Sequence, residues 1–561
     1  MRRKLLTVLG LLLAAAMLAV VPACGGDDDD DGGDAGAEGT GTLVFAGAAD
    51  PVVLDGALVS DGESLRVIDQ MFEGLVTLSL GGTDIEPGLA ESWEASDDGL
   101  EWTFDLREGV TFHDGEPFNA EAVCFNFDRW YNFSGPLQSE SATYYWQTVF
   151  GGFADGETPS LFESCEATDE QTVVITLTKP SASFLGALAL TNFTFASPKA
   201  LQEFGADEGT VDEETGFKPT GTYGTEHPTG TGPFKFVSWT RGDRLVLERN
   251  DDYWGESAKI QQLIFRPISD NAARLQALQS GEIHGYDLVE PQDMPTIEGD
   301  DNLQLLTRPA FNVAYVAMNQ QMEPMDDLRV RQAVAHGLNR QQVVDSFYPE
   351  GAEVAKEFMP PELFGYADDV TEYEFDPDRS RQLLTEAGCG PPCPIEFWYP
   401  TDVSRPYMPD PKRNFEAFAA SLNQSGFRVT ARSAPWSPDY LGRTQEGNAG
   451  HLHLLGWTGD FADPDNFIGV FFQTPTDQFG FENPEIHQAL DAAEAETDQD
   501  TRVGMYEEVN RAIMEFLPGV PYVHTSPALG FQACIEGYRP SPVSLEPFSI
   551  VSMENCEGVT E

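Results

Sequence analysis

The apolar and polar positions along this chain switch repeatedly between a strand-like period of two and a helix-like period near 3.6. Gly41–Ala46 reads as a first strand, and Leu65–Leu75 (LRVIDQMFEGL) carries apolar residues at helical spacing and ends beside Gly74. From Ser92 the pattern alternates. Trp93, Trp102, Phe104 and Leu106 share one face, and Asp97-Asp98-Gly99 supplies a hairpin turn between the two strands. Asn119–Trp130 returns to the helical period with Asn119 as its N-cap. Residues 205–232 are rich in Gly, Thr and Glu, lack periodicity, and predict a surface loop. Helices are expected at Val330–Phe347, Asp378–Ala387 and Pro411–Ser425, within a βα-rich region from about 310 to 525. From Phe531 the chain is irregular and Pro-rich, and it is expected to pack back onto an earlier part. Alternation of this kind over such a length points to an α/β or α+β protein of roughly two to four domains, with no internal repeat.

The amino terminus stands apart. Arg2, Arg3 and Lys4 precede an almost wholly apolar run from Leu5 to Val21, and small residues follow. That is the layout of a secretory signal peptide over residues 1–23. Val21-Pro22-Ala23-Cys24 resembles a bacterial lipobox, in which Cys24 would be lipidated and become the first mature residue. Residues 24–40 then read as a flexible acidic tether, since a segment without bulky apolar side chains cannot offset the entropy of ordering itself. No later stretch is long and apolar enough to span a bilayer.

Charge narrows the function. The chain of 561 residues carries 93 acidic and 32 basic side chains, a formal charge of −61, and loss of the three leader cations takes this to −64. A surface so acidic excludes a nucleic-acid partner and leaves membrane contact only through a lipid anchor. Excluding Cys24, six cysteines remain. Outside the cytoplasm, proximity favours Cys124–Cys165, Cys389–Cys393 and Cys534–Cys556, though spacing alone leaves the connectivity open.

Catalytic motifs are missing. No lysine follows a glycine, which removes a P-loop, and no His opens an HExxH motif. Gly456–Asn466 offers three carboxylates but not the Gly and Glu positions of a calcium loop. His451 and His453 stand two apart on an expected strand, half of a nickel or haem site at most, and more simply a polar strand face. An extracellular hydrolase is the reading from a different class; so many acids make any single carboxylate pair uninformative. No metal, cofactor or catalytic residue is assigned.

Four stretches together carry a resemblance. They are Glu86–Asn126 (EPGLAESWEASDDGLEWTFDLREGVTFHDGEPFNAEAVCFN), Gly230–Gly255 (GTGPFKFVSWTRGDRLVLERNDDYWG), Tyr315–Val344 (including DDLRVRQAVAHGLNRQQVV) and Gly456–Phe467 (GWTGDFADPDNF). In this order they resemble the large extracytoplasmic solute-binding proteins of the peptide/nickel ABC importer family, across about residues 41–530. Met359–Gly388 and Arg405-Pro406-Tyr407 are similar to its dipeptide-binding branch.

The resemblance implies two α/β lobes of type II binding-protein architecture with an extra inserted domain. Residues 41–75, 228–312 and a returning tail at 528–561 would form the first lobe, 76–227 the inserted domain, and 313–527 the second lobe. It further implies that Arg405 grips a peptide carboxylate, that Asp460 holds the free α-amino group, and that Trp457 and Tyr407 line the pocket. Ser60 and Gly62 would offer backbone edges from the first lobe. The partners would be a small peptide and ABC permease subunits with a separate ATPase, and the protein would be a monomer. An oligopeptide, nickel-chelate or haem binder of the same fold is the alternative. The plainer structural reading is that Asp460 caps a helix beginning near Pro464 and that Arg405 pairs with one of many acids.

Overall fold

In the computed structural model, residues 41–212, 216–401, 403–543, 545–554 and 556 are described. The leader, the acidic tether and Cys24 lie outside them. No helix among the described residues is long and apolar enough to cross a membrane.

Two mixed sheets organise the molecule. The first has seven strands. Phe234–Thr240, Arg244–Arg249, Gln262–Pro267 and Thr42–Gly47 are followed across the sheet by Gly285–Tyr286, Ala528–Gln532 and Leu303–Thr307. Its first and last chain segments, Thr42–Gly47 and Ala528–Gln532, therefore both lie in the interior of one sheet, separated only by Gly285–Tyr286. The second sheet orders Phe427–Pro435, Cys393–Thr401, Leu452–Thr458, Asn312–Met318 and Gly519–Val523. Every residue of Asn312–Met318 is buried, as expected for a central strand covered on both faces. Between the segments of the first sheet, residues 90–177 build a separate four-stranded antiparallel sheet. Its opening hairpin has the expected form: Trp93 opposes Phe104, Ala95 opposes Trp102, and Gly99 turns at φ +69°.

Two large apolar cores result. One joins the seven-stranded and four-stranded sheets through Phe45, Phe104, Phe127, Trp130 and Phe531; the other surrounds the five-stranded sheet through Val313, Phe397, Leu454 and Tyr522. The chain passes between the two sheets at 308–311 and again at 524–527. These crossings are tied together: Arg308 N donates to the Pro527 carbonyl at 2.8 Å, and Asn312 Nδ2 to the Thr525 carbonyl at 2.7 Å.

The tail does pack back. Glu546 is 1 % exposed, and its Oε1 accepts from Arg308 Nη2 at 2.5 Å and from Arg66 Nε at 3.1 Å. Asp287 meets the same two arginines at 3.2 and 2.6 Å. Disulfides join Cys124–Cys165, Cys389–Cys393 and Cys534–Cys556, the pairs that proximity favours.

Three expectations need correction. The first helix is Gly62–Ile68, not Leu65–Leu75. Asp61 caps it by accepting from Ser64 N, and the carbonyls of Gln70 and Met71 accept from Phe234 and Gly232 instead of continuing the helix. Val330–Phe347 is two helices, Leu328–Gly337 and Arg340–Phe347, because Asn339 breaks the run and caps the second by accepting from Gln342 N. The 205–232 stretch is not a plain loop. It contains the hairpin Gly209–Asp212 with Gly216–Pro219 and a short helix, Tyr223–Glu226, whose Tyr223 is buried. The helices Ala120–Tyr131, Pro377–Glu386 and Pro411–Gln424 lie within a residue or so of expectation, each with its capping Asn or Asp in place.

Candidate functional site

Cys393–Thr401 and Leu452–Thr458 run parallel, with Phe397 opposite Leu452 and Trp398 opposite His453. Their carboxyl ends therefore emerge at the same edge of the second sheet, the place where open α/β sheets hold ligands. The loop after the first strand carries Arg405 and Tyr407; the end of the second carries Trp457 and Asp460. One close contact joins the loops. A Cβ added to Gly456 would lie 2.3 Å from the Tyr407 ring and 2.5 Å from the Val313 carbonyl, so only glycine lets that ring approach. Tyr407 is buried, its carbonyl accepts from Tyr348 Oη at 3.1 Å, and burial pushes its hydroxyl up to about 12 even though Arg405 opposes the shift.

Arg405 is held by a two-way backbone bridge with Met408, at 3.1 and 2.9 Å. Its guanidinium lies over Trp436, 4.1 Å from the ring centroid, and its Nε is buried without a hydrogen-bond partner. No carboxylate among the described residues pairs with it, in a chain holding 93 acids. Arg405 faces a small, solvent-open cleft between the sheets, lined also by Leu288, Met294, Pro349, Thr525 and Pro527.

Asp460 is likewise without a cation. Its backbone N–H donates to Asn466 Oδ1 at 2.7 Å, while its carboxylate accepts from Asn466 Nδ2 at 3.3 Å and from Tyr145 Oη at 3.1 Å. Loss of hydration pushes the carboxyl up to about 6, and these two hydrogen bonds offset only part of that. The capping duty near Pro464 falls to Asp463, which accepts from Asp465 N and pairs with Arg502 at 2.9 Å. Trp457 meets Phe471 edge-on at 5.9 Å, and its Nε1 is buried with no partner.

The remaining expected site residues divide. Ser60 and Gly62 are both exposed, and Gly62 opens the first helix with nothing within 4 Å of a notional Cβ. Burial pushes the Tyr145 hydroxyl's pKa well upward, and the charges of Asp460 and of Asp61, the residue between Ser60 and Gly62, add to the shift. The structure thus brings the 60–62 loop towards Asp460 through Tyr145. Asp460 does not line the cleft that Arg405 faces; the Tyr407–Gly456 contact is what connects the two.

Sequence reading passed over three residues. Tyr145 sits in an aromatic run, Tyr144-Tyr145-Trp146, which was a usable signal. Trp436 and Asn466 gave none, since stacking under Arg405 and bonding to Asp460 are tertiary facts. The histidine pair separates: His453 is buried with neither ring nitrogen bonded and its pKa pushed down to about 3, whereas His451 bonds the Glu396 N–H and the Glu323 carbonyl. Among the described residues no group of three His, Cys, Asp or Glu is placed to hold a metal ion.

Residues 84–479 match the model of the bacterial extracellular solute-binding proteins, family 5, middle region. The chain belongs to this family. Its members bind and deliver solutes and are not enzymes. Within it, the chain is 30% identical over 525 residues to the dipeptide-binding protein of Escherichia coli K12, covering 91% of this chain and 95% of that one. It is 31% identical over 535 residues to heme-binding protein A of Haemophilus influenzae, covering 93% and 94%. Among solved structures it is similar to the ABC transporter-associated periplasmic binding protein DppA from Helicobacter pylori in complex with the peptide STSA. The TM-score is 0.80 at 27% identity, over 92% of this chain and 99% of that one. The family's two-lobed α/β fold accounts for the paired sheets and for the placing of Arg405 and Asp460 at a strand-end edge between them.

Proposed function

We propose that this family member captures a short peptide with free ends, most simply a dipeptide, between its lobes and hands it to an ABC permease driven by a separate ATPase. The first lobe comprises 41–75, 228–312 and the tail from 528; 76–227 is an inserted domain; 313–527 is the second lobe. The protein acts as a monomer held at the outer face of the membrane through lipidated Cys24. One observation carries the reading: Arg405 and Asp460 are two opposite charges with no counter-ion among the described residues, on adjoining loops at one sheet edge. A free dipeptide is the complementary zwitterion, its charged ends about 5–7 Å apart. Guanidinium suits the carboxylate end because its planar fork can bind both oxygens. Trp457 and Tyr407 supply apolar walls, and Ser60 and Gly62 offer backbone groups from the facing lobe.

A longer peptide is the second reading, favoured by the four-residue ligand of the Helicobacter pylori neighbour. Calorimetry on the body from residue 41 separates the two, with Ala-Phe, N-acetyl-Ala-Phe, a tetrapeptide, hemin and nickel as titrants. Tight binding of Ala-Phe alone supports the two-ended clamp. Equal binding of the tetrapeptide moves the site to longer peptides, and silence toward every peptide overturns the reading.

A further inference from the structure

Among the described residues between 311 and 523, one buried apolar side chain packs into the first core instead of the second: Phe461, 5 % exposed, joins the core shared by the first lobe and the inserted domain. It directly follows Asp460. The root of its loop is fixed on the second lobe, where a Cβ at Gly459 would lie 2.3 Å from the Phe311 ring and 2.5 Å from Phe467. The tip crosses over. A Cβ at Gly186 would lie 2.9 Å from Phe461 Cδ2, so the ring edge rests on bare backbone of the short helix Phe184–Ala187. That helix is anchored in the first core by Phe184, whose ring is 5.3 Å from Trp102.

Polar contacts rim the plug. Lys179 Nζ meets Glu494 Oε2 at 3.1 Å, Ala182 N donates to the Glu494 carbonyl at 3.0 Å, and Ser183 Oγ donates to Asp465 Oδ2 at 3.4 Å. With Lys179 55 % exposed, the ion pair contributes little, and burial of the Phe461 ring does more to hold the lobes together.

We propose that Phe461 is a closure latch: its ring, seated against Gly186 of the inserted domain, favours the closed form, and ligand captured at Asp460 fixes the 459–465 loop that carries it. This rests on the reading of the cleft given above. Phe461 touches no ligand in this scheme; it positions the lobes, and so sets how long any ligand stays. Gly186 is the matching socket, because any side chain there displaces the ring.

The test uses Phe461→Ala, Gly186→Ala and the double variant in the body from residue 41, with Ala-Phe and a tetrapeptide as probes. Phe461→Ala should raise Kd about 10–100-fold for each peptide that binds, through faster release at unchanged association rate. Gly186→Ala should weaken binding in the wild-type background and have no effect once Phe461 is Ala. A purely structural role for the ring would give neither the rate split nor that loss of sensitivity. Unchanged Kd in Phe461→Ala, or additive effects in the double variant, overturns the latch. Asp460→Asn is the separate arm: if it leaves Kd unaltered, the clamp reading fails by itself. Should no peptide bind at all, small-angle scattering of the ligand-free chain decides. A larger radius of gyration in Phe461→Ala supports the latch, and superimposable curves overturn it.

Discussion

Lowering the pH from 7 to 5 should weaken the binding of a free dipeptide by roughly 10-fold, and the cause is Asp460. Loss of hydration lifts its carboxyl to about 6, with hydrogen bonds from Tyr145 and Asn466 but no cation to hold it ionised. A ligand ammonium needs the ionised form. With a pKa near 6, about one molecule in ten is ionised at pH 5, so the apparent Kd rises by about that factor and binding releases a proton. An upper limb follows from the ligand, whose α-amino group titrates near pH 8 (about 7.7–8.0 for the model group). Affinity should therefore be bell-shaped, with its maximum between about pH 6 and pH 8. The sign for folding differs. In the ligand-free chain the folded pKa is raised above the unfolded value, so this group's contribution falls as pH rises from about 4 to about 6. Calorimetry in two buffers of different ionisation enthalpy reads both Kd and the protons released. A flat Kd between pH 5 and pH 7, or an Asp460→Asn variant retaining the acid limb, would refute the assignment.

Further expectations concern other residues. Arg405→Ala should raise the dipeptide Kd by about 100-fold or more, since it leaves a buried carboxylate unpaired, and should alter hemin binding far less; equal losses for both would remove Arg405 from the carboxylate role. Glu546→Gln preserves shape but removes the charge shared by Arg66 and Arg308, and should destabilise the first lobe by about 2–3 kcal/mol in urea unfolding. A change within about 0.5 kcal/mol would mean that Asp287 alone satisfies both arginines. Because the chain carries −61, raising NaCl from 0.1 to 1 M shortens the screening length from about 10 to about 3 Å and should raise the thermal midpoint. A midpoint that falls with salt would show that specific ion pairs outweigh general repulsion.

Much of the fold was legible where a local signal fixes it. Asn119, Asp376 and Asp410 cap their helices as side chains of that kind do anywhere, and Asp97-Asp98-Gly99 makes its turn without help from the rest of the molecule. The misreadings came where tertiary partners overrule periodicity. Gln70 and Met71 look helical until the 230–234 segment claims their carbonyls, and Asn339 was hidden within an amphipathic run. The same division holds for the site. Motif context pointed to Arg405, Tyr407, Trp457 and Asp460, whereas Tyr145, 315 positions from Asp460, and Trp436 beneath Arg405 are brought in by the fold alone.

The position of Ala528–Gln532 in the interior of the first sheet bears on when this protein can fold. The strand separates Gly285–Tyr286 from Leu303–Thr307, and Thr42–Gly47 belongs to the same sheet. During synthesis or export the amino-terminal segments must wait for nearly the last residues before their sheet is complete. Pairings so distant in sequence are slow to form, and until then the early strands remain open to other partners. For an extracellular protein such delay is useful. A chain that cannot finish its first lobe early stays threadable while it crosses a membrane, and its completion is deferred to the compartment where the three disulfides can form.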